Sequence, residues 1–154
     1  MARVAYSHHC FVCGQDNPYG LRARFRIDGG TSETNLRPPD HVRGFPGILQ
    51  GGVVAALLDE TMWYAAFGAG FFTLTAELQV RFRRPTPLST LRAHGEVLSH
   101  RRQIVLCRAQ LVDEAGEILA QGEGKFFVIP PQKVLQDKEE VVVESCPGSL
   151  HPPV

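Results

Sequence analysis

The run Gly44-Phe45-Pro46-Gly47-Ile48-Leu49-Gln50-Gly51-Gly52 leads directly into residues 53–67, a stretch of good helix formers whose only polar residues are Asp59, Glu60 and Thr61. Glycines at a helix start let a ligand approach the backbone, and the first-turn N–H groups have no acceptor within the helix. Such donors can polarise a carbonyl oxygen and stabilise an oxyanion, with the helix dipole acting in the same sense. On helical spacing Gly52, Ala56, Asp59 and Trp63 share one face, and the two small residues leave room beside the carboxylate. A carboxylate on so apolar a helix is costly unless it is hydrogen-bonded, so Asp59 calls for a partner or a chemical role. Glu60 points about 100° away around the helix and reads as a supporting or interface carboxylate.

A second group of reactive residues precedes this one, in His8-His9-Cys10-Phe11-Val12-Cys13-Gly14. A C-x-x-C loop can present two thiolates to one zinc ion. No second Cys/His pair follows at finger spacing, so a complete site needs His8 or His9 to fold back, or a partner subunit. The other reading is a reduced structural turn, and no metal is assigned to the site residues. With Cys107 and Cys146 the chain has four cysteines, expected as thiols because no secretion signal is evident.

These residues sit in 154, of which 44% are hydrophobic, and 16 Lys+Arg balance 16 Asp+Glu. That is one domain with a core that needs no disulfide to fold. No apolar run is long enough to span a membrane, and zero net charge argues against nucleic-acid binding by bulk charge, so a cytoplasmic protein is expected. Residues 1–20 read as an irregular lead-in closed by the turn Asn17-Pro18-Tyr19-Gly20. Residues 21–27 alternate apolar positions with Arg22, Arg24 and Arg26, as a half-buried strand does, and Asp28-Gly29-Gly30 turns into a second strand over about 31–37. The helix follows, roughly 25 Å long at about 1.5 Å per residue. Then come four strands. The first alternates Leu74, Ala76, Leu78, Val80 and Phe82 inward, and ends at Pro85 and Pro87. The others span about 90–98, 105–111 and 117–129, and in the last Ala120, Gly122 and Gly124 would let the helix lie close. The sum is an α+β fold: a curved antiparallel sheet of about six strands around one long buried helix, spanning residues 21–130. Exposed sheet edges invite pairing, so two copies are expected to join their sheets. Residues 131–154, with Pro131, Pro147, Pro152, Pro153 and Lys138-Glu139-Glu140, read as a mobile tail or a surface strap.

The loop, the glycines, the helix with Asp59 and the strand ending Arg83-Arg84-Pro85 resemble the hotdog-fold acyl-CoA thioesterases of the phenylacetate-pathway (PaaI-like) type. The lead-in Cys10-Phe11-Val12-Cys13-Gly14, with Asn17-Pro18-Tyr19-Gly20-Leu21, is similar to one branch of that superfamily. The resemblance covers roughly residues 8–129. It implies a homodimer or homotetramer that hydrolyses an acyl-CoA to a carboxylic acid and free coenzyme A, with no cofactor beyond the coenzyme A of the substrate. It further implies that the Gly51 N–H polarises the thioester carbonyl, that Asp59 of the opposite subunit is general base or nucleophile, and that Thr75 orients the attacking water. Where the family has His this chain has Gln50, which can donate a hydrogen bond but cannot be protonated. His41, in the same loop, is either a substitute or a plain loop histidine. Gly52, Glu60 and Trp63 would line the substrate. Arg83 and Arg84, with Arg101 and Arg102, would meet the phosphates of coenzyme A, the alternative being solvated arginines at a sheet edge. Gln50 also keeps open a second function on the same fold, a non-catalytic acyl-CoA or lipid binder.

Overall fold

The helix α1 (Gly51–Gly68) starts two residues before the apolar run and buries Val54, Leu57, Leu58, Met62, Tyr64, Ala65 and Ala66. Its least covered face is the stripe Gly52, Ala56, Asp59 and Trp63. In the computed structural model, which describes residues 1–135 and 141–146, α1 lies against an antiparallel sheet. The strands are β1 (Arg3–Tyr6), β2 (Phe25–Asp28), β3 (Thr31–Leu36), β4 (Thr73–Phe82), β5 (Leu91–Arg101), β6 (Ile104–Val112), β7 (Ile118–Val128) and β8 (Val142–Ser145). Their order is β4-β7-β6-β5-β3-β2-β1-β8. The α+β arrangement is the one expected. Between helix and sheet, Tyr64 stacks on Phe25 with ring centroids 4.5 Å apart, and Ile27, Leu91, Leu111 and Phe126 complete a core closed to water.

Eight strands, not about six, make up the sheet among the described residues. The two extra ones come from the ends of the chain: β1 lies in the lead-in expected to be irregular, and β8 straps the tail onto β1 in register Arg3 with Ser145. Four-residue strands are too short to show a periodic pattern, and these two are held by pairing, β1 on the edge of β2 and β8 on that of β1. Lys138-Glu139-Glu140, Pro147, Pro152 and Pro153 lie outside the described residues.

The strand β4 departs from simple alternation. Its pairing with β7 shifts between Thr75 and Glu77, so Ala76 is an extra, bulged residue. A bulge reverses which face each later side chain takes. Before it, Thr73 and Thr75 pair with Val128 and Phe126 and face α1, which leaves Leu74 outside and 44% exposed. After it, Leu78, Val80 and Phe82 turn to the helix side, opposite Gly124, Gly122 and Ala120. The inward position expected of Leu74 is therefore corrected by one inserted residue. As one edge of the sheet, β4 also leaves Leu78 and Phe82 37% and 55% exposed.

Close approach of α1 to the sheet rests on Gly122, where an added Cβ would stand 3.3 Å from Met62, and on Gly95 of β5, where it would stand 2.8 Å from the Thr61 carbonyl oxygen. At Gly124 the added carbon would meet the Phe126 ring instead, so that glycine makes room for a neighbour in the sheet and not for the helix. Gly95→Ala is expected to destabilise the fold by about 1–3 kcal/mol through overpacking, read as a lower Tm in thermal unfolding. No helix among the described residues is long and apolar enough to cross a membrane.

Candidate functional site

The helix start is built by Gln50. In an extended conformation (φ −61°, ψ 135°) it is the N-cap of α1, and its side-chain Oε1 accepts the Val53 N–H at 3.0 Å. Its backbone carbonyl also accepts from Val53 and Val54. The N–H groups of Gly51 and Gly52, which have no acceptor inside a helix, remain for another partner. Gly51 borders a cleft of about 670 Å³ lined also by Gln50, Phe45, Phe82, Arg83 and Arg84. A Cβ on Gly51 would stand 3.7 Å from the Phe82 ring, so the loop, the helix start and the end of β4 meet at this point. Gln50→Ala is expected to cost about 0.5–2 kcal/mol through loss of the cap, seen as a lower Tm. His41 does not reach this cleft: its Nε2 meets the Tyr19 carbonyl at 2.9 Å, as a loop fastening.

Asp59 lies two turns further along this stripe, half-buried. The Thr75 hydroxyl, aimed at the helix by the bulge, donates to Asp59 Oδ1 at 2.8 Å. Burial raises the Asp59 pKa above the ordinary carboxylate value, with the Thr75 bond acting against it. The partner required by an apolar helix is thus a strand hydroxyl and not a cation, which leaves a carboxylate able to accept a proton and a hydroxyl beside it able to orient a water. Trp63, next on the stripe, is held by its indole N–H to the Thr73 carbonyl at 2.7 Å and stacks on Phe67.

The arginines do not gather within one chain. Arg83 reaches Gln121 at 3.0 Å and Arg84 pairs with Glu117 at 3.2 Å, both at the Phe82 end of β4. Arg101 ends β5 in the row Arg101–Ile104–Phe127–Leu74, with Arg102 beside it in the turn. That row lies nine residues along β4 from Arg83, about 30 Å at strand rise.

Glu60 is turned away from the Gly51 cleft and meets the N-terminal loop. The Cys13 thiol donates to Glu60 Oε1 at 2.9 Å and the Cys10 thiol to the same oxygen at 3.4 Å. Burial first, and the neighbouring Cys10, push the Glu60 carboxyl up to about 8. Hydrogen bonding with Cys13 draws Cys10 down to about 5, while the same bond and burial raise Cys13. A cavity of about 300 Å³ opens on this group, lined also by His8, His9, Trp63 and Tyr64. Nothing local in the sequence joins Glu60 to a C-x-x-C loop some fifty residues earlier, so this meeting was not legible there.

Residues 46–120, the segment from the glycine loop to β7, match the family model described as the Thioesterase superfamily. The chain is 30% identical over 98 residues to acyl-coenzyme A thioesterase THEM4 of Rattus norvegicus, covering 62% of this chain and 42% of that protein. It spans about two fifths of the length of the curated THEM4 relatives it matches. A solved structure described as RHA08564, a thioesterase superfamily protein, superposes with a TM-score of 0.73 at 28% identity, covering 79% of this chain and 61% of that one. The PaaI protein of E. coli, from the phenylacetic acid degradation operon, is similar in fold, with a TM-score of 0.67 at 20% identity over 71% of this chain and 81% of that one.

Proposed function

From the match of residues 46–120 to the Thioesterase superfamily model and the shared hotdog fold, we propose that this chain is a member of that superfamily and hydrolyses acyl-CoA thioesters as a dimer or higher oligomer with sites shared between chains. One observation carries the reading: the Thr75–Asp59 hydrogen bond lies at the start of the exposed edge strand β4, and Gly51 packs beside Phe82 at its end. Within a chain, Asp59 and Gly51 are eight residues apart on α1, about 12 Å at helical rise, too far to act on one carbonyl. Antiparallel pairing of β4 with a second copy would bring each Thr75–Asp59 pair to the other chain's Gly51 and Phe82. It would also bring the Arg101–Arg102 end of one sheet towards the Arg83–Arg84 end of the other, where coenzyme A phosphates need cations.

In that shared site the Gly51 N–H holds the thioester oxygen. Asp59 takes a proton from a water held by Thr75, and the water oxygen bonds to the carbonyl carbon. Collapse of the tetrahedral intermediate breaks the C–S bond, and the coenzyme A sulfur leaves with a proton. Gly52 gives the substrate room at the helix start, and Trp63 forms part of the aromatic wall. Water and the chain's own groups suffice, with coenzyme A as part of the substrate. The thiols Cys10, Cys13 and Cys107 suit a reducing compartment such as the cytoplasm.

A panel of short-chain, medium-chain and aromatic acyl-CoAs, followed by release of free thiol, tests the reading. Catalytic turnover of at least one class is the expected result. Saturable binding without turnover across the panel would overturn it in favour of a non-catalytic acyl-CoA binder.

A further inference from the structure

We propose that Cys10, Cys13 and Glu60 bind one zinc ion, fastening the N-terminal loop to α1. One ligand atom from each residue lies within 4.8 Å of the other two. Two sulfurs on a tetrahedral zinc, each at about 2.3 Å, sit about 3.8 Å apart, so that spacing admits the ion with little rearrangement.

The loop is shaped for such a role. The Gly14 N–H donates to the Cys10 carbonyl at 2.8 Å, and a Cβ on Gly14 would stand 2.3 Å from that oxygen, so the turn needs glycine there. Donors surround the sulfurs: the Val12 N–H reaches Cys10 Sγ at 3.4 Å, the Tyr64 hydroxyl reaches Cys13 Sγ at 3.2 Å, and the Ser7 hydroxyl stands 3.2 Å from the same sulfur. Hydrogen bonds of this kind support metal-bound thiolates from the outer shell.

Charge points the same way. Among the described residues Glu60 has no Lys or Arg partner, only two thiols. Three acids gathered in a part-buried cluster lack the cation that a divalent metal supplies. The cavity of about 300 Å³ gives an entry path and a fourth position, with His8 and His9 in its wall. Asp16 holds His8 Nδ1 at 3.1 Å, the arrangement that steadies a metal-binding imidazole. Binding would release to solvent the protons that the three acids still hold.

The test uses the full chain, reduced, stripped with a chelator and titrated with Co²⁺. The expected result is a thiolate-to-cobalt charge-transfer band that saturates at one ion per chain and is abolished by one equivalent of Zn²⁺. Cys10→Ser and Cys13→Ser should each weaken binding about a hundredfold or more, because loss of outer-shell partners alone costs about 10–100-fold, while Cys146→Ser should leave it unchanged. Should the serine variants misfold, the nearly isosteric Glu60→Gln must still weaken zinc binding. Absence of the band in reduced protein, its survival in both serine variants, or unchanged zinc affinity in Glu60→Gln would each overturn the proposal.

Discussion

Asp59→Asn is expected to reduce kcat on the best acyl-CoA by about 10²–10⁴-fold, the range spanned by positioned general bases, with the chain still folded and its sedimentation unchanged. An amide has nearly the shape of a carboxylate and can still accept the Thr75 hydrogen bond, now 2.8 Å long. It cannot accept the proton of water. Stability should not fall, because the substitution removes a charge that burial disfavours. KM should change little, since the carboxylate acts on the water and not on the coenzyme A portion. The measurements are steady-state kinetics, with circular dichroism and sedimentation as controls for the fold. A variant retaining more than half of the wild-type kcat would remove Asp59 from the chemistry.

The parts of this arrangement that the sequence makes legible are those governed by local periodicity. Val105, Cys107 and Leu111 alternate inward and are buried in β6, and the glycine-flanked apolar run is α1 to within two residues at its start. The Asp59 stripe follows from helical spacing alone. One failure is local, since the strand expected over residues 21–27 begins only at Phe25, after a left-handed Arg22 (φ 51°), and the others are tertiary. The bulge at Ala76 reverses the face of β4 through pairing with β7, and no residue type at that position announces it. It is nevertheless what turns Thr75 towards Asp59, so the resemblance supplied a contact that alternation would have placed on the wrong side of the sheet. The strand β8 pairs with β1 across nearly the whole length of the chain, and β1 in turn with β2. Glu60 finds its thiols in the same long-range way. Arg101 and Arg102, expected to act with Arg83 and Arg84, show the converse: strand lengths in one chain separate them, and only a second chain could reunite them.

That dependence on a second chain yields the most discriminating expectation. Gly51→Pro should lower kcat by about 10²–10³-fold, the loss typical of one oxyanion-hole donor, without disturbing the helix. Gly51 is the first helical residue, the position at which proline is favoured because its missing N–H has no partner inside the helix. Gln50 already has the extended conformation that proline demands of the residue before it. The added Cβ makes only ordinary contact with the Phe82 ring, at 3.7 Å. The substitution therefore deletes a hydrogen-bond donor and little else, and the variant should unfold at or near the wild-type Tm. Mixing it with Asp59→Asn chains under conditions that exchange subunits makes the shared site testable. In a two-fold dimer about half of the reassorted dimers carry one chain of each kind, and each of these has one site with both defects and one with neither. Activity should therefore rise from near zero to about a quarter of wild type. No recovery despite demonstrated exchange would show that Asp59 and Gly51 do not act across the chain boundary, and the shared site would have to be abandoned.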